Sequence, residues 1–287
     1  MRPFEYFEPR TVAEATELLF SYGEKAKILA GGIDLIPRMR KSEIKAEYII
    51  NIQKISGLEY IEDKGKQGLT FGAMAKLYSM ETSKAVQNNY PILYSAIHQI
   101  TSVQAKYMGT VVGNLCVATP ASDVATALFT LGAELKIASP KSERTEPIEK
   151  FYRDYFRTSL KQGEMVTGVV LPEPFPGMGA AFLNLVRTHS DIAKVSVAVA
   201  IIVQDGICQE VKIAIGASAP TVFRAAKAEI TLKGQRITPQ LISQVAETAA
   251  GEARPITDLR STAGYRKEMT KVLVRRALEK SLEKAKV

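Results

Sequence analysis

Leu29-Ala30-Gly31-Gly32-Ile33-Asp34-Leu35-Ile36-Pro37 and Gly109-Thr110-Val111-Val112-Gly113-Asn114-Leu115-Cys116 are the two stretches from which this chain is best read. The second runs on to Pro120-Ala121-Ser122-Asp123. Glycine lets a main chain approach a ligand closely, and adjacent N–H groups aimed at one spot form an anion-binding nest. Two such segments, folded together, are able to clasp the two negative charges of a dinucleotide pyrophosphate. Each alone is a weak signal, because Gly-Gly after a strand also reads as a plain turn. The first segment lacks the G-x-G-x-x-G spacing, so a Rossmann reading has little support. The pair says more, since each segment leads through polar side chains into a predicted helix, whose N-terminus adds positive potential where phosphate would lie.

The pattern around these segments is of mixed type. Thr11 followed by Glu14 is a capping-box signature and predicts a helix over 11–20. A short strand at 27–29 enters the first segment and another is expected at 47–52, which makes a small α/β unit. Strands are predicted at 58–61 and 69–74 around the polar turn Asp63-Lys64-Gly65-Lys66, a helix over 91–100, and a helix over 121–131 directly after the second segment. Strands follow at 134–138 and 165–171. Pro172-Glu173-Pro174-Phe175-Pro176-Gly177 breaks the pattern and places the domain boundary. Beyond it, two β-rich runs at 195–203 and 207–215 flank Asp205-Gly206, the strongest two-residue hairpin signal. Helices are predicted over 221–232, 239–251 and 261–282, so the second domain reads as α+β.

The 287 residues suffice for two domains, and 46% hydrophobic content supplies their cores. No apolar run is long enough to span a membrane, and Met1-Arg2-Pro3-Phe4-Glu5-Tyr6 lacks a secretory h-region; a cytoplasmic protein is expected. The net charge of +8 comes without an aromatic-interleaved basic motif, so no nucleic-acid partner is expected. Part of the excess sits at Arg266, Lys267, Lys271, Arg275, Arg276, Lys280 and Lys284, which reads as a solvated helix face or a docking surface for an acidic protein. Cys116 and Cys208 make a disulfide framework improbable. An iron–sulfur cluster needs about four cysteines, so none is expected here, and no metal site. Cys116 has no positioned base nearby in sequence and reads as a small buried residue. His98 and His189 lie far apart without ligand companions.

Taken in order, these motifs resemble the medium, FAD-binding subunit of the molybdenum hydroxylases, the group that includes carbon monoxide dehydrogenase, 4-hydroxybenzoyl-CoA reductase and xanthine dehydrogenase. The resemblance covers nearly the whole chain. It starts at Phe7-Glu8-Pro9-Arg10-Thr11-Val12-Ala13-Glu14-Ala15 and passes through both glycine segments. It continues with Arg187-Thr188-His189-Ser190-Asp191-Ile192-Ala193-Lys194-Val195 and Gly216-Ala217-Ser218-Ala219-Pro220-Thr221. It ends with Tyr265-Arg266-Lys267 ahead of Val272-Leu273-Val274-Arg275-Arg276-Ala277-Leu278.

The resemblance implies an α+β fold: a two-part FAD-binding domain of the vanillyl-alcohol-oxidase/PCMH type over 1–175, with subdomains at about 1–56 and 57–175, then an α+β C-terminal domain over 176–287 with a small antiparallel sheet and helices. It implies that Leu29, Ala30, Gly31, Gly32, Ile33, Asp34 and Leu35 grip the FAD pyrophosphate on one side. Gly109, Thr110, Gly113, Asn114 and Val117 belong to the other. Ser122 and Asp123 match positions that bond the nucleotide part, Val166 and Thr167 line the flavin pocket, and Asp191 and Ile192 meet the isoalloxazine ring. Read without the resemblance, Asp123 also serves as a cap for a helix starting near Val124, Asp191 as a turn residue, and Asp34 as a cap for the helix after Gly32.

Two departures from the family pattern carry expectations. Val112 stands where a glycine is usual, and a β-branched residue resists positive φ, so its side chain is expected to crowd the phosphate or shift the loop. On that reading Val112→Gly tightens FAD binding. Asn184 stands near a position where the family commonly has lysine. The implied partners are a large molybdopterin-binding subunit and a small [2Fe-2S] subunit, with NAD, a quinone, ferredoxin or oxygen as external acceptor. The 4-hydroxybenzoyl-CoA reductase variant, which adds a cluster on a cysteine-bearing insertion, is disfavoured by the cysteine count. A stand-alone flavin oxidoreductase and a flavin-free assembly subunit are the alternatives.

Overall fold

The computed structural model describes residues 2–174 and 176–285. Met1, Lys286 and Val287 lie outside the described residues, as does Phe175 within the expected Pro172–Gly177 crossover.

The first unit comprises β1 (Glu5–Phe7), α1 (Val12–Tyr22), β2 (Ala26–Leu29), α2 (Leu35–Arg40) and β3 (Tyr48–Asn51). Its three strands form a parallel sheet in the order β1-β3-β2. Thr11 caps α1 by accepting the Glu14 N–H at 3.1 Å, while the Glu14 carboxylate returns to the Arg10 N–H at 2.7 Å. The connection from β2 to the parallel β3 runs through the first glycine segment and α2, so the segment lies at the C-terminal end of β2, where ligands of parallel sheets collect.

The second unit carries β4 (Ile61–Asp63), β5 (Leu69–Gly72), α3 (Leu77–Thr82), α4 (Lys84–Asn89), α5 (Pro91–His98), α6 (Val103–Met108), α7 (Val111–Cys116) and α8 (Asp123–Leu131). It continues with β6 (Glu134–Ala138), β7 (Glu143–Pro147), α9 (Ile148–Phe151), β8 (Tyr152–Asp154), β9 (Arg157–Thr158) and β10 (Met165–Leu171). Five strands form an antiparallel sheet, β4-β5-β10-β6-β7, and β8 and β9 pair separately as a hairpin. The strand expected at 58–61 begins only at Ile61, where the chain has straightened. Leu58 and Tyr60 still accept main-chain bonds from Met74 and Gly72, in the register that β4 keeps with β5.

The third unit is the antiparallel sheet β11 (Gly179–Leu185), β12 (Val195–Gln204), β13 (Ile207–Gly216) and β14 (Phe223–Arg224), followed by α10 (Ala226–Leu232), α11 (Pro239–Glu252) and α12 (Ala263–Leu282). Asp205 (φ +52°) and Gly206 (φ +72°) make the expected tight turn. The helix expected over 221–232 is half right: its first residues form β14, because Phe223 and Arg224 pair with Ile215 and Ala214 before α10 starts. β12 is buried on both faces. Val195, Val197, Val199 and Ile201 face the core under α10–α12, while Ala198 joins the core shared with α8. The small residues on that second face let α8 lie close to the sheet: a Cβ on Gly216 would sit 2.4 Å from Ser196 Oγ and 2.5 Å from Thr126 Oγ1. No helix among the described residues is long and apolar enough to cross a membrane.

Candidate functional site

The two glycine segments touch through their main chains. A Cβ on Gly31 would lie 2.1 Å from the Met108 carbonyl oxygen and 2.9 Å from Gly109 Cα, so glycine is required for the contact itself. Gly32 adopts φ +73°, which turns the chain toward α2. The N–H groups of Gly31, Gly32, Ile33, Asp34 and Leu35 have no acceptor among the described residues. Five consecutive free donors are what a nest for an anion requires. Gln53 Nε2 holds the Ala30 carbonyl at 2.6 Å, and Leu29 and Leu35 pack on Met39, Ala46 and Ile49, so the segment is anchored on both sides. Ile33 stays exposed. Asp34 does not cap α2; it pairs instead with Arg38 at 3.2 Å.

The second segment differs from the expected loop. Only Gly109 and Thr110 are extended; Val111–Cys116 is helical, so α8 does not follow the glycines directly. The Leu77 N–H donates to Gly109 O at 3.0 Å and the Val111 N–H to Ala75 O at 3.1 Å, pinning this stretch to the start of α3. Thr110 Oγ1 accepts the Gly113 N–H at 2.9 Å and caps α7. Val112 has no positive φ and its side chain is buried with Val111 and Leu115 in the main core. The strain expected of a β-branched residue at positive φ therefore does not arise: Val112 lies in helical backbone and its side chain packs into the main core. Val117 ends α7 half-buried.

Past α7, Ser122 Oγ donates to Asn114 Oδ1 and accepts the Ala125 N–H at 2.9 Å, so Ser122 caps α8 and ties it to the second segment. Asp123 is the first residue of α8 rather than its cap. Its Oδ2 accepts Asn184 Nδ2 at 2.9 Å, while Oδ1 is buried with no partner. Desolvation by burial outweighs the hydrogen bond from Asn184 and pushes its carboxyl up to about 6. A buried acceptor left open is an invitation to a donor from a ligand. Cys116 is exposed, correcting the expectation of burial, yet the surrounding protein desolvates its thiol and pushes it up to about 12. The raised thiol rules against a ready thiolate.

The remaining expected residues are dispersed around this centre. Val166 is buried in the main core and Thr167 lies at a bulge in β10, where its carbonyl accepts the Ala73 N–H at 2.9 Å. Asp191 and Ile192 sit on the 186–194 connection between β11 and β12. Asp191 turns onto the Ile192 N–H at 2.9 Å and faces Arg187 at 3.6 Å, and Ile192 is 48% exposed. Thr101 Oγ1 reaches Ser190 Oγ at 2.9 Å, which ties this loop to the stretch leading into α6. No hydrogen bond among the described residues joins Asp191 or Ile192 to the glycine segments. The left-handed backbone of Ala118 and Phe156 was not legible in the sequence, since neither residue type marks a positive-φ turn.

A bound FAD fits these features: free donors for its phosphates, an open buried acceptor for a hydroxyl, and backbone close enough to close around it. Comparison with known proteins agrees. The family described as the FAD binding domain in molybdopterin dehydrogenase matches residues 2–174, and the CO dehydrogenase flavoprotein C-terminal domain matches residues 180–281. The carbon monoxide dehydrogenase medium chain of Afipia carboxidovorans is 30% identical over 283 residues, covering 99% of this chain and 98% of that one. The glyceraldehyde dehydrogenase medium chain of Sulfolobus acidocaldarius is 28% identical, covering 96% and 97%. Among solved structures, carbon monoxide dehydrogenase from Hydrogenophaga pseudoflava superposes with a TM-score of 0.96 at 30% identity, covering 99% of each chain. The chain belongs to the FAD-binding medium subunits of the molybdenum hydroxylases, an oxidoreductase family.

Proposed function

We propose that this chain is the electron-transfer subunit of a three-chain molybdenum hydroxylase. It would receive electrons from a small [2Fe-2S] subunit, which draws them from a large molybdopterin subunit, and pass them to an external acceptor. The observation that carries this reading is the backbone contact between the two glycine segments, with the free N–H groups of residues 31–35 beside it. Bound FAD would supply exchange between one-electron and two-electron carriers. The chain's own residues would position it. Leu29–Leu35 would hold one phosphate side, and Gly109, Thr110, Gly113, Asn114 and Val117 the other. Ser122 and Asp123 would bond the hydroxyl-bearing part, and Val166, Thr167, Asp191 and Ile192 would bound the rings. We assign this work to a two-part domain over 1–175 and a C-terminal domain over 176–287.

Substrate oxidation would occur on another chain. Relatives at nearly equal identity bear the names of carbon monoxide and glyceraldehyde dehydrogenases, so substrate choice is not written in this subunit. The test is the visible spectrum of the purified chain after incubation with FAD, followed by analysis of what co-purifies. Flavin bands, together with two partner chains and molybdenum, are the expected result. A folded, colourless protein that takes up no FAD would overturn the cofactor role. A yellow protein active alone on a small molecule would favour the stand-alone flavoenzyme.

A further inference from the structure

Three contacts beyond the glycine segments complete a ring of contacts. Gly31 meets Met108 and Gly109 at one end. From there α7 carries the second segment to Ala118, whose carbonyl accepts the Phe156 N–H at 2.9 Å. The Phe156 ring lies 4.1 Å from the Arg38 guanidinium, and Arg38 pairs with Asp34 in the first segment. The tip of the β8–β9 hairpin thus bridges the far ends of both segments.

The tip is built at a cost. Ala118 (φ +52°) and Phe156 (φ +56°) both occupy left-handed backbone, uncommon for alanine and an outlier for a bulky aromatic. A hairpin turn alone would be better served by glycine at 156. The rings of Tyr155 and Phe156, 4.1 Å apart, are 54% and 39% exposed, so core burial does not explain them. What Phe156 gains is Arg38. Strained residues that persist because their surroundings hold them gather at ligand clamps.

We propose that the β8–β9 tip is a latch on the cofactor site, with Phe156 as a positioning residue that keeps the first glycine segment closed against the second through Arg38 and the Ala118 carbonyl. The latch governs release of the dinucleotide and touches no reacting atom. It rests on the cofactor reading above.

Phe156→Gly separates this role from a structural one, because it removes the ring and relieves the backbone together. The full-length chain is loaded with FAD, diluted, and followed by the rise of free-flavin fluorescence, with thermal melts of the unloaded protein in parallel. The expected result is FAD release about three- to tenfold faster, the scale of one cation–π contact, with an unloaded melting point no lower than the parent's. Arg38→Met, which also loses the pair with Asp34, should speed release as well, and Arg38→Met/Phe156→Gly should release FAD no faster than Arg38→Met alone, since Phe156 acts on the segment only through Arg38. Parental release from Phe156→Gly, additive factors in the double variant, or faster release accompanied by a lower melting point would each overturn the latch. A parental chain that takes up no FAD overturns the cofactor reading instead.

Discussion

Val112 shows how a single residue can be misread by pattern and placed correctly by geometry. A glycine at this position suggests a backbone that needs positive φ. In this chain the position is the second residue of a short helix, where valine is allowed and its side chain fills core space beside Val111 and Leu115. Val112→Gly is therefore expected to remove a buried side chain and loosen a helix, costing about 2–4 kcal/mol. A urea melt reads that cost, and an FAD titration should show no tightening. Tighter binding would mean that the side chain does reach the phosphates. At Gly31 the residue type signalled close approach to a ligand, and the structure shows close approach to the Met108 carbonyl of the chain itself.

At the scale of elements, α8 links the proposed cofactor site to protonation. Its first residue, Asp123, is desolvated, and its neighbour on β11 is neutral Asn184 rather than a cation. A carboxyl whose folded value is raised binds its proton more tightly in the folded state. Its contribution is full below the unfolded value, near 3.8, and is lost as pH rises toward about 6. The unloaded chain should thus lose stability across that window, by on the order of 2–3 kcal/mol. Asp123→Asn should flatten this part of the profile and stabilise the unloaded chain at pH 7.5; denaturation midpoints from pH 4 to 7.5 check it, and an unchanged slope would refute it. Elements with strong local signals were legible. Thr11 with Glu14 marked α1, and Asp205-Gly206 marked the β12–β13 turn, because capping and positive φ are local demands. β1, β7 and β11 were not legible as strands, since three polar-edged residues, a charged run and a proline-preceded stretch become strands only when a partner strand arrives.

Over the whole molecule, one buried guanidinium fastens the third unit. Arg266 of α12 is 3% exposed and donates through Nη1 to the carbonyls of Lys194 and Ala217 at 2.8 and 2.9 Å, and through Nη2 to Asp258 at 2.7 Å. It thereby joins the 186–194 loop, the end of β13 and the turn before α12. Part of the basic run in the last helix is accordingly internal rather than a solvated face. A lysine has no planar fork to span three acceptors, so Arg266→Lys should cost about 1.5–3 kcal/mol. Hydrogen exchange should quicken across residues 186–194, and protection equal to the parent's would show that the loop is held by other contacts.

The sequence by itself determined which stretches bend sharply, which run as helices or paired strands, and, through an ordered series of motifs, the family and its cofactor. These properties rest on local sterics and on residue types that appear in the chain as written. Only the tertiary structure decided that the second glycine segment is mostly helix, that Val112 faces the core, and that Asp123 keeps an open acceptor. It alone brought Phe156 across to Arg38. Each of these depends on which segments meet across about 40 to 120 residues of chain, and packing against a distant neighbour leaves no signature in the residue's own type.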